Sequence, residues 1–567
     1  MHKHVSDLES RVAVEAGGLS PRKNPAPAGP LARGSFRSPG LEPKKNPRLG
    51  AAAALSMLAL LAGCTVGPKY SRPAATATPP PPAYQQVAPP KPTPAEQATG
   101  ATAPSPGELK EWQPANPQDA MLRGKWWEIY NDPELNGLED RLNIDNQNIK
   151  QFFYNFMEAR SLVREARAEY YPTVTFGPSW SRSRSSANLG NSSGSTSGGS
   201  ANKAGSTSSL TALPIDVSWE PDLFGRIRNT VREAQYSAQL SAADLENERL
   251  AEQASLAEYF FEIRGQDALQ KVLNDTVEAE KKTLTLTQAL YETGVDDQIS
   301  VVQAQSTLQS TQASATNVGL LRAQYEHAIA MLIGQSASGF TVPVKPATPE
   351  PPPIPVGVPS QLLERRPDIA AAERTMASAN AAIGVAYAAF YPTLTISAGA
   401  GLESSSWKHL FDWPSRFWSV GPSFSQTLFS AELEPGLNQY VETYNSDVAA
   451  YRQTVLTAFQ QVEDYLVAVK TYSVQIQQEQ QAVASAQKAV DLELGRYETG
   501  IDPYIDVVTL QATLLGDQQS LTTLQVGQMT ASVELIQALG GGWDSSQLPT
   551  PQQVTQKPSK ADKQIVQ

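Results

Sequence analysis

The feature that most restricts the fold of this chain is an internal duplication. The segment Tyr-Glu-Thr-Gly-Val-Asp that begins at Tyr291 recurs as Tyr-Glu-Thr-Gly-Ile-Asp from Tyr497, 206 residues later. Earlier in each half, a Tyr-Pro-Thr segment begins at Tyr171 and again at Tyr391. Landmarks that recur in the same order indicate a repeated structural unit.

Each unit contains two segments of about ten residues in which apolar side chains alternate with hydroxyl-bearing ones. They lie near 171–180 and 211–221 in the first unit and near 391–401 and 418–428 in the second. This alternation predicts strands with one apolar and one polar face, and the aromatic residues at their ends are typical of strands that cross a membrane. A soluble sandwich is the alternative. A Ser/Gly-rich insertion at about 182–210 is predicted to be an exposed loop.

Two stretches without proline, roughly 226–290 and roughly 437–496, predict very long helices. At about 1.5 Å per residue, each would be about 90 to 100 Å long. Their narrow seam of small apolar residues favours helices packed side by side around a solvated channel, and solvated coiled-coil rods are the alternative. Each helix ends at a Tyr-x-x-Gly segment, where we expect a sharp reversal.

The single cysteine, Cys64, follows Leu-Ala-Gly at the end of the apolar run 51–62, and Lys44, Lys45 and Arg48 precede that run. This pattern resembles a bacterial lipobox, which implies cleavage before Cys64 and a covalent lipid on it. A buried structural cysteine is the alternative. Residues 1–43 resemble an extension upstream of the signal.

The predicted organisation has six parts. They are a leader and lipoprotein signal (1–63), a lipidated Pro/Ala-rich mobile tether (64–117), a first repeat (118–342), a Pro-rich link (343–359), a second repeat (360–542) and a disordered tail (543–567).

Composition excludes several functions. The formal net charge of −12 argues against nucleic acid as a partner. No apolar run of about 20 residues follows the signal segment, so any membrane crossing in the body must be made by strands. The four histidines, His2, His4, His327 and His409, cannot form a triad or a metal cluster. We therefore predict no catalytic site, no metal and no cofactor beyond the lipid, and the chain is not expected to be an enzyme.

Four strands per chain cannot close a barrel, and open strand edges are not tolerated in lipid. Two copies would give eight strands, a size usually filled by side chains, whereas three would give twelve and leave room for a lumen. We therefore predict a homotrimer.

Several motifs together resemble the TolC-like outer-membrane factors, and more narrowly the lipoprotein (OprM/NodT-like) branch that serves resistance-nodulation-division pumps. They are the lipobox, Trp126-Trp127, the Asp-Leu-Phe-Gly-Arg segment 222–226, the Arg-Arg-Pro-Asp segment 365–368 and the two Tyr-x-x-Gly reversals. The resemblance implies a mainly α fold with a β-barrel portion. Its duplicated helix/β-hairpin/helical-hairpin unit would form, in a trimer, a twelve-stranded outer-membrane β-barrel and a twelve-helix periplasmic α-barrel.

By the same resemblance, the chain is expected to be the outer-membrane exit duct of a tripartite efflux pump, lipid-anchored and passively conducting drugs or other small molecules. Its expected partners are a periplasmic adaptor (membrane fusion protein), an inner-membrane resistance-nodulation-division pump and outer-membrane lipid. An exit duct for type I protein secretion and a non-channel lipoprotein tether are the alternatives. One departure follows Leu428-Phe429, where Ser430-Ala431-Glu432 replaces the family's Gly-Gly and basic residue.

The resemblance also places a periplasmic gate at the reversals. Asp502 and Asp506 match gate positions, and in a trimer each would form a ring of three carboxylates. The further gate candidates are Tyr497, Asp296, Asp297 and Tyr291. The alternative role of the acids is to cap helices. Arg366-Pro367-Asp368 is interpreted as the start of a helix and not as a site.

Overall fold

The computed structural model describes residues 65–76, 80, 84–85, 124–186, 207–346, 350–354, 356–357 and 359–557. The predicted signal segment 1–63 and the predicted lipidation site Cys64 lie outside the described residues.

Helices make up most of the described chain. In chain order they are α1 (Pro133–Asp145), α2 (Gln147–Ala168), α3 (Arg226–Glu292), α4 (Gln298–Leu332), α5 (Leu362–Arg365), α6 (Pro367–Ala388), α7 (Leu433–Glu498), α8 (Tyr504–Ala538) and α9 (Pro551–Thr555). The strands are β1 (Thr173–Phe176), β2 (Ser179–Arg184), β3 (Thr207–Trp219), β4 (Thr393–Ser404) and β5 (Arg416–Ser425).

The two long helices confirm the prediction. Helix α3 has 67 residues and α7 has 66, so each is about 100 Å long at 1.5 Å per residue. Helix α4 returns along α3 and α8 returns along α7, and α3 also packs against α8. A Cβ added at Gly265 of α3 would lie 2.3 Å from Cγ2 of Val526 of α8, so the glycine permits this close approach.

The strands form one antiparallel sheet in the order β1-β3-β4-β5, with β2 also paired to β3. The segment predicted near 171–180 is therefore two strands that continue to Arg184. They keep one register, since Phe176 pairs with Ile215 and Ser179 with Ala212. The interruption falls at Gly177-Pro178, because proline has no N–H for the ladder. The predicted loop at about 182–210 is therefore too long at both ends, because β2 continues to Arg184 and β3 begins at Thr207.

Directly paired residues share one face of the sheet. The register places these residues on one face: Val174, Phe176, Trp180, Leu213, Ile215, Val217, Ile396, Trp418, Val420 and Phe424. It places these on the other: Thr173, Thr175, Asp216, Ser218, Thr395, Ser397, Ser419 and Ser423. The predicted separation into an apolar and a hydroxyl-rich face is confirmed.

The largest core cluster lies where the short helices meet α3. Trp126 and Phe260 are fully buried in it, and the indole Nε1 of Trp126 donates to Oε1 of Gln253 at 3.1 Å. Helix α6 begins as expected, with Arg366 as its N-cap residue, Pro367 in the first position and Asp368 in the first turn.

The N-terminal segment 65–76 was predicted to be a mobile tether, and this is wrong for the described residues. In this segment, Nη2 of Arg72 donates to the Tyr451 hydroxyl at 3.1 Å. The Tyr70 hydroxyl donates to Glu373 at 3.3 Å. These polar and aromatic side chains find partners on α6 and α7, which fixes the segment against the second repeat.

The predicted disordered tail 543–567 is also wrong over its described part, 543–557. Trp543 is buried, and Val554 is fully buried against Val163 and Ala238. Thr550 forms a capping box with Gln553 at the start of α9. Apolar residues spaced along this segment therefore pack it against helices of both repeats.

Glu139 of α1 is fully buried, and neither carboxylate oxygen has a hydrogen-bond partner among the described residues. Burial, with the nearby Asp140 charge, raises the pKa of Glu139 well above its ordinary value of 4.5. The contribution of protonated Glu139 to the free energy of unfolding is therefore fully present below the unfolded-state pKa. It is lost as pH rises through the folded-state pKa, because unfolding then releases the proton.

We expect Glu139→Gln to raise the melting temperature at pH 7 by about a few degrees, since it removes an ionisable group from the core. The gain should shrink as pH falls toward 4.5, the ordinary carboxyl pKa. Thermal unfolding followed by circular dichroism at several pH values checks this. Asp145→Asn, at an exposed position of the same helix, is the control. An equal gain at all pH values would contradict the assigned role of the proton.

In the part of the chain that the structure describes, none of the helices combines the length and the apolar character needed to span a membrane.

Candidate functional site

The two Tyr-x-x-Gly segments end α3 and α7 in the same way. Gly294 has φ 76° and Gly500 has φ 70°, a left-handed conformation that favours glycine. The amide of Val295 donates back to the Leu290 carbonyl at 2.9 Å, and that of Ile501 donates to the Arg496 carbonyl at 3.0 Å. These bonds satisfy the last carbonyls of each helix and produce the predicted reversals.

The Tyr497 hydroxyl joins the two reversals by hydrogen bonding from the second repeat to the first. The Tyr497 hydroxyl donates to Oδ2 of Asp296 at 2.6 Å and lies 3.0 Å from Oγ1 of Thr287. Tyr497 is only 2% exposed and its ring centroid lies 5.4 Å from that of Tyr504. The tyrosine is thus anchored in a small core at the end of the helices and reaches the other repeat through its hydroxyl.

Asp296 is held in its ionised form. Its partial burial opposes ionisation, but hydrogen bonds from Tyr497, from Ser300 and from the Asp297 amide lower the pKa of Asp296 below 3.8, its ordinary value. Burial and the bond to Asp296 raise the pKa of Tyr497. The phenol therefore keeps its proton and the carboxylate its charge at neutral pH, which makes this a charge-assisted hydrogen bond.

Asp502 has a cationic partner in its own chain. The Arg496 guanidinium donates to it from Nη2 at 3.0 Å, and its Nε makes a second contact. This bond lowers the pKa of Asp502. Glu493, one turn earlier on α7, has a raised pKa because of desolvation and the negative charges of Asp502 and Asp506.

The side chains of the remaining candidates have different environments. Asp297 caps α4, its side chain accepting from the Ser300 amide at 3.1 Å. Tyr291 is 46% exposed, although it is the counterpart of buried Tyr497. Asp506 is exposed in the first turn of α8. The structure thus joins Tyr497 to Asp296 and gives Asp502 a partner, while Asp506 faces solvent.

Sequence reasoning did not single out Arg496, Glu493 or Thr287. Arg496 could have been found from the duplication, because its counterpart 206 residues earlier is Leu290. A charged residue that replaces an apolar one directly before the two matching Tyr-Glu-Thr-Gly segments is a difference between the repeats that the sequence shows. Thr287 gives no comparable signal.

Among the residues that the structure describes, no group of three or more His, Cys, Asp or Glu side chains could hold a metal ion.

The profile of the family described as Outer membrane efflux protein matches residues 140–335 and 358–541, which include both strand pairs and both reversals. The chain belongs to this family. The predicted resemblance is therefore confirmed, and Cys64 lies outside the matched ranges.

Curated relatives in this family match over most of their length. The probable efflux pump outer membrane protein TtgC of Pseudomonas putida is 30% identical over 74% of this chain and 85% of the relative. The solvent efflux pump outer membrane protein SrpC of Pseudomonas putida is 30% identical over 86% of this chain and 98% of the relative. The Campylobacter jejuni CmeC outer membrane channel matches with TM-score 0.72 and 21% identity, over 89% of this chain and 99% of that one. This last likeness shows the shared fold.

Proposed function

We propose that this chain is the outer-membrane exit channel of a tripartite efflux pump, which passively conducts small molecules to the exterior. The observation that carries the proposal is that each repeat joins a two-faced strand pair to a helical pair led by a helix of 66 or 67 residues. Such strands suit the boundary between lipid and a water-filled lumen, and the helices extend the lumen away from the membrane. The relatives TtgC and SrpC, which are efflux pump outer membrane proteins, support this function.

The assembly that best suits this sheet is a homotrimer. Strands β1 and β2 share one register, so each chain supplies four strand positions, bounded by β1 with β2 at one edge and by β5 at the other. Edges exposed to lipid would leave backbone groups without partners, so neighbouring copies must pair them. Three copies supply twelve strands, enough to surround a lumen.

The reversals would form the gate, since they lie at the far end of the helices from the sheet. Asp506 is the best candidate for a charged ring, because Asp296, Asp297 and Asp502 already accept hydrogen bonds within the chain. Three carboxylates around a narrow aperture attract cations and repel one another. Closure would then depend on contacts that hold the reversals, above all the bond between Tyr497 and Asp296.

Sequence features support two further assignments. The lipobox before Cys64 supports a lipid anchor in the outer membrane. Membership in a family of efflux channels supports a periplasmic adaptor and an inner-membrane resistance-nodulation-division pump as partners, and a role without catalysis.

The test is to purify the protein from bacterial outer membranes, determine its mass and reconstitute it in a planar bilayer. We expect a trimer in detergent, a chain mass that includes a lipid on Cys64, and small cation-selective currents. A monomer without conductance would overturn the channel proposal, and an unmodified Cys64 would overturn the anchor alone.

A further inference from the structure

The apolar face of the sheet ends in arginines. Arg182 and Arg184 follow Trp180 at every second position of β2, so the three side chains share one face. Arg416 pairs with Leu402, which lies on that same face. All three arginines are exposed, and they occupy the end of the sheet farthest from the helices. We call Arg182, Arg184 and Arg416 the arginine rim.

The loop between β4 and β5 brings exposed aromatic residues to the same end. Trp407, Phe411 and Trp413 are 64%, 75% and 75% exposed. The guanidinium carbon of Arg416 lies 3.4 Å from the ring centroid of Trp413. This cation–π contact places the guanidinium over the ring, and a guanidinium in such a position can still donate hydrogen bonds to phosphate.

The carboxylates that the structure describes at this end have another partner or lie on the other face of the sheet. Glu403 pairs with Ala212 and therefore lies on the hydroxyl-rich face. Oδ2 of Asp412 lies 2.8 Å from Nδ1 of His409 within the loop. The apolar face thus finishes in a positive edge flanked by aromatic side chains.

The length of the apolar stretch of β3 suits the apolar thickness of a membrane. The strand β3 from Trp219 to Thr211 spans about 27 Å at roughly 3.4 Å per residue, close to the thickness of an apolar membrane band once strands tilt. Arg182 pairs with Ser209, just beyond this stretch. Arg182 and Arg184 therefore lie at the level where lipid phosphates and interfacial aromatic side chains are found. Arg416 begins β5 level with Leu213, through their common partner Leu402, but its guanidinium lies over Trp413 of the loop beyond the strand, which brings the charge toward the other two arginines.

We propose that the arginine rim binds the phosphate groups of an anionic lipid in the leaflet farthest from the helices, with Trp407, Phe411 and Trp413 in the interfacial layer. Guanidinium groups match phosphate through two parallel hydrogen bonds, and an apolar surface adjoins them for the acyl chains. The inference rests on the proposed function, because it needs the sheet to span the membrane.

The experiment measures quenching of tryptophan fluorescence in the reconstituted full-length trimer, using phosphatidylcholine vesicles that contain brominated phosphatidic acid or brominated phosphatidylcholine. Trp180, Trp413 and Trp418 lie near the rim and report lipid contact. We expect phosphatidic acid to be preferred over phosphatidylcholine by on the order of fivefold or more. In Arg182→Gln/Arg184→Gln/Arg416→Gln the ratio of the two apparent affinities should fall toward one. High salt should weaken the preference of the wild type.

The matched control is Lys271→Gln/Lys281→Gln/Lys282→Gln, which removes the same charge from exposed positions of α3 and should leave the preference unchanged. Arg182→Gln/Arg184→Gln keeps the contact of Arg416 with Trp413. This double variant replaces the triple variant in the quenching experiment if the triple variant does not assemble. An equal preference in wild type and rim variants, or none in the wild type, overturns the site. Conductance of the same protein separates the two proposals, since a conducting trimer without lipid preference overturns the lipid site alone.

Discussion

Replacing Tyr497 with phenylalanine is expected to raise the open probability of the reconstituted channel roughly tenfold, because a hydrogen bond to a charged group contributes about 1.5–3 kcal/mol. The substitution removes the hydroxyl that donates to Asp296 at 2.6 Å and keeps the buried ring beside Tyr504. The two reversals would then lose the direct tie between the repeats. Single-channel recording in planar bilayers measures the change.

The duplication supplies the control for this experiment. Tyr291 occupies the same place in the first repeat, but it is 46% exposed, so Tyr291→Phe should leave the conductance unchanged. Asp296→Asn should open the channel as Tyr497→Phe does, since it removes the charge of the acceptor. Unchanged currents in both Tyr497→Phe and Asp296→Asn would show that this bond does not hold the gate closed.

Much of this fold could be predicted because the decisive features are local. The absence of proline predicted most of α3 and α7, and strict alternation predicted the two faces of the strands. Gly294 and Gly500 predicted the reversals. Each feature depends on neighbouring residues along the chain, and its recurrence in the second repeat removed ambiguity.

Features that depend on distant residues were not predictable in this way. The bond between Tyr497 and Asp296 joins residues 201 positions apart, and nothing local distinguishes Asp296 from Asp297. The packing of segments 65–76 and 543–557 was missed for a related reason. Proline-rich or polar composition indicates little regular structure, but it does not show whether a few buried side chains such as Val554 find a surface to pack on.

The charge of the gate is expected to determine the cation selectivity of the channel. Arg496, Asp502 and Asp506 together carry a net charge of −1 per chain in the structure, with Arg496 paired to Asp502. We expect Asp506→Asn to lower cation selectivity severalfold, because three charges around one aperture act on the same ion. Arg496→Gln should raise selectivity, since it leaves the Asp502 carboxylate without its partner. Reversal potentials in a salt gradient measure both effects.

The double variant Arg496→Gln/Asp502→Asn is the decisive control, because it removes both members of the pair and keeps the net charge of −1. Its selectivity should return to that of the wild type, whereas Asp502→Asn alone leaves an unpaired arginine and should lose selectivity. All variants are compared in a Glu493→Gln background, because the charges of Asp502 and Asp506 raise the pKa of Glu493 and their removal would change its protonation. If Asp506→Asn were without effect while Asp502→Asn abolished selectivity, the conducting ion would be sensing the Asp502 ring, and the ion pair with Arg496 would have to open whenever the channel conducts.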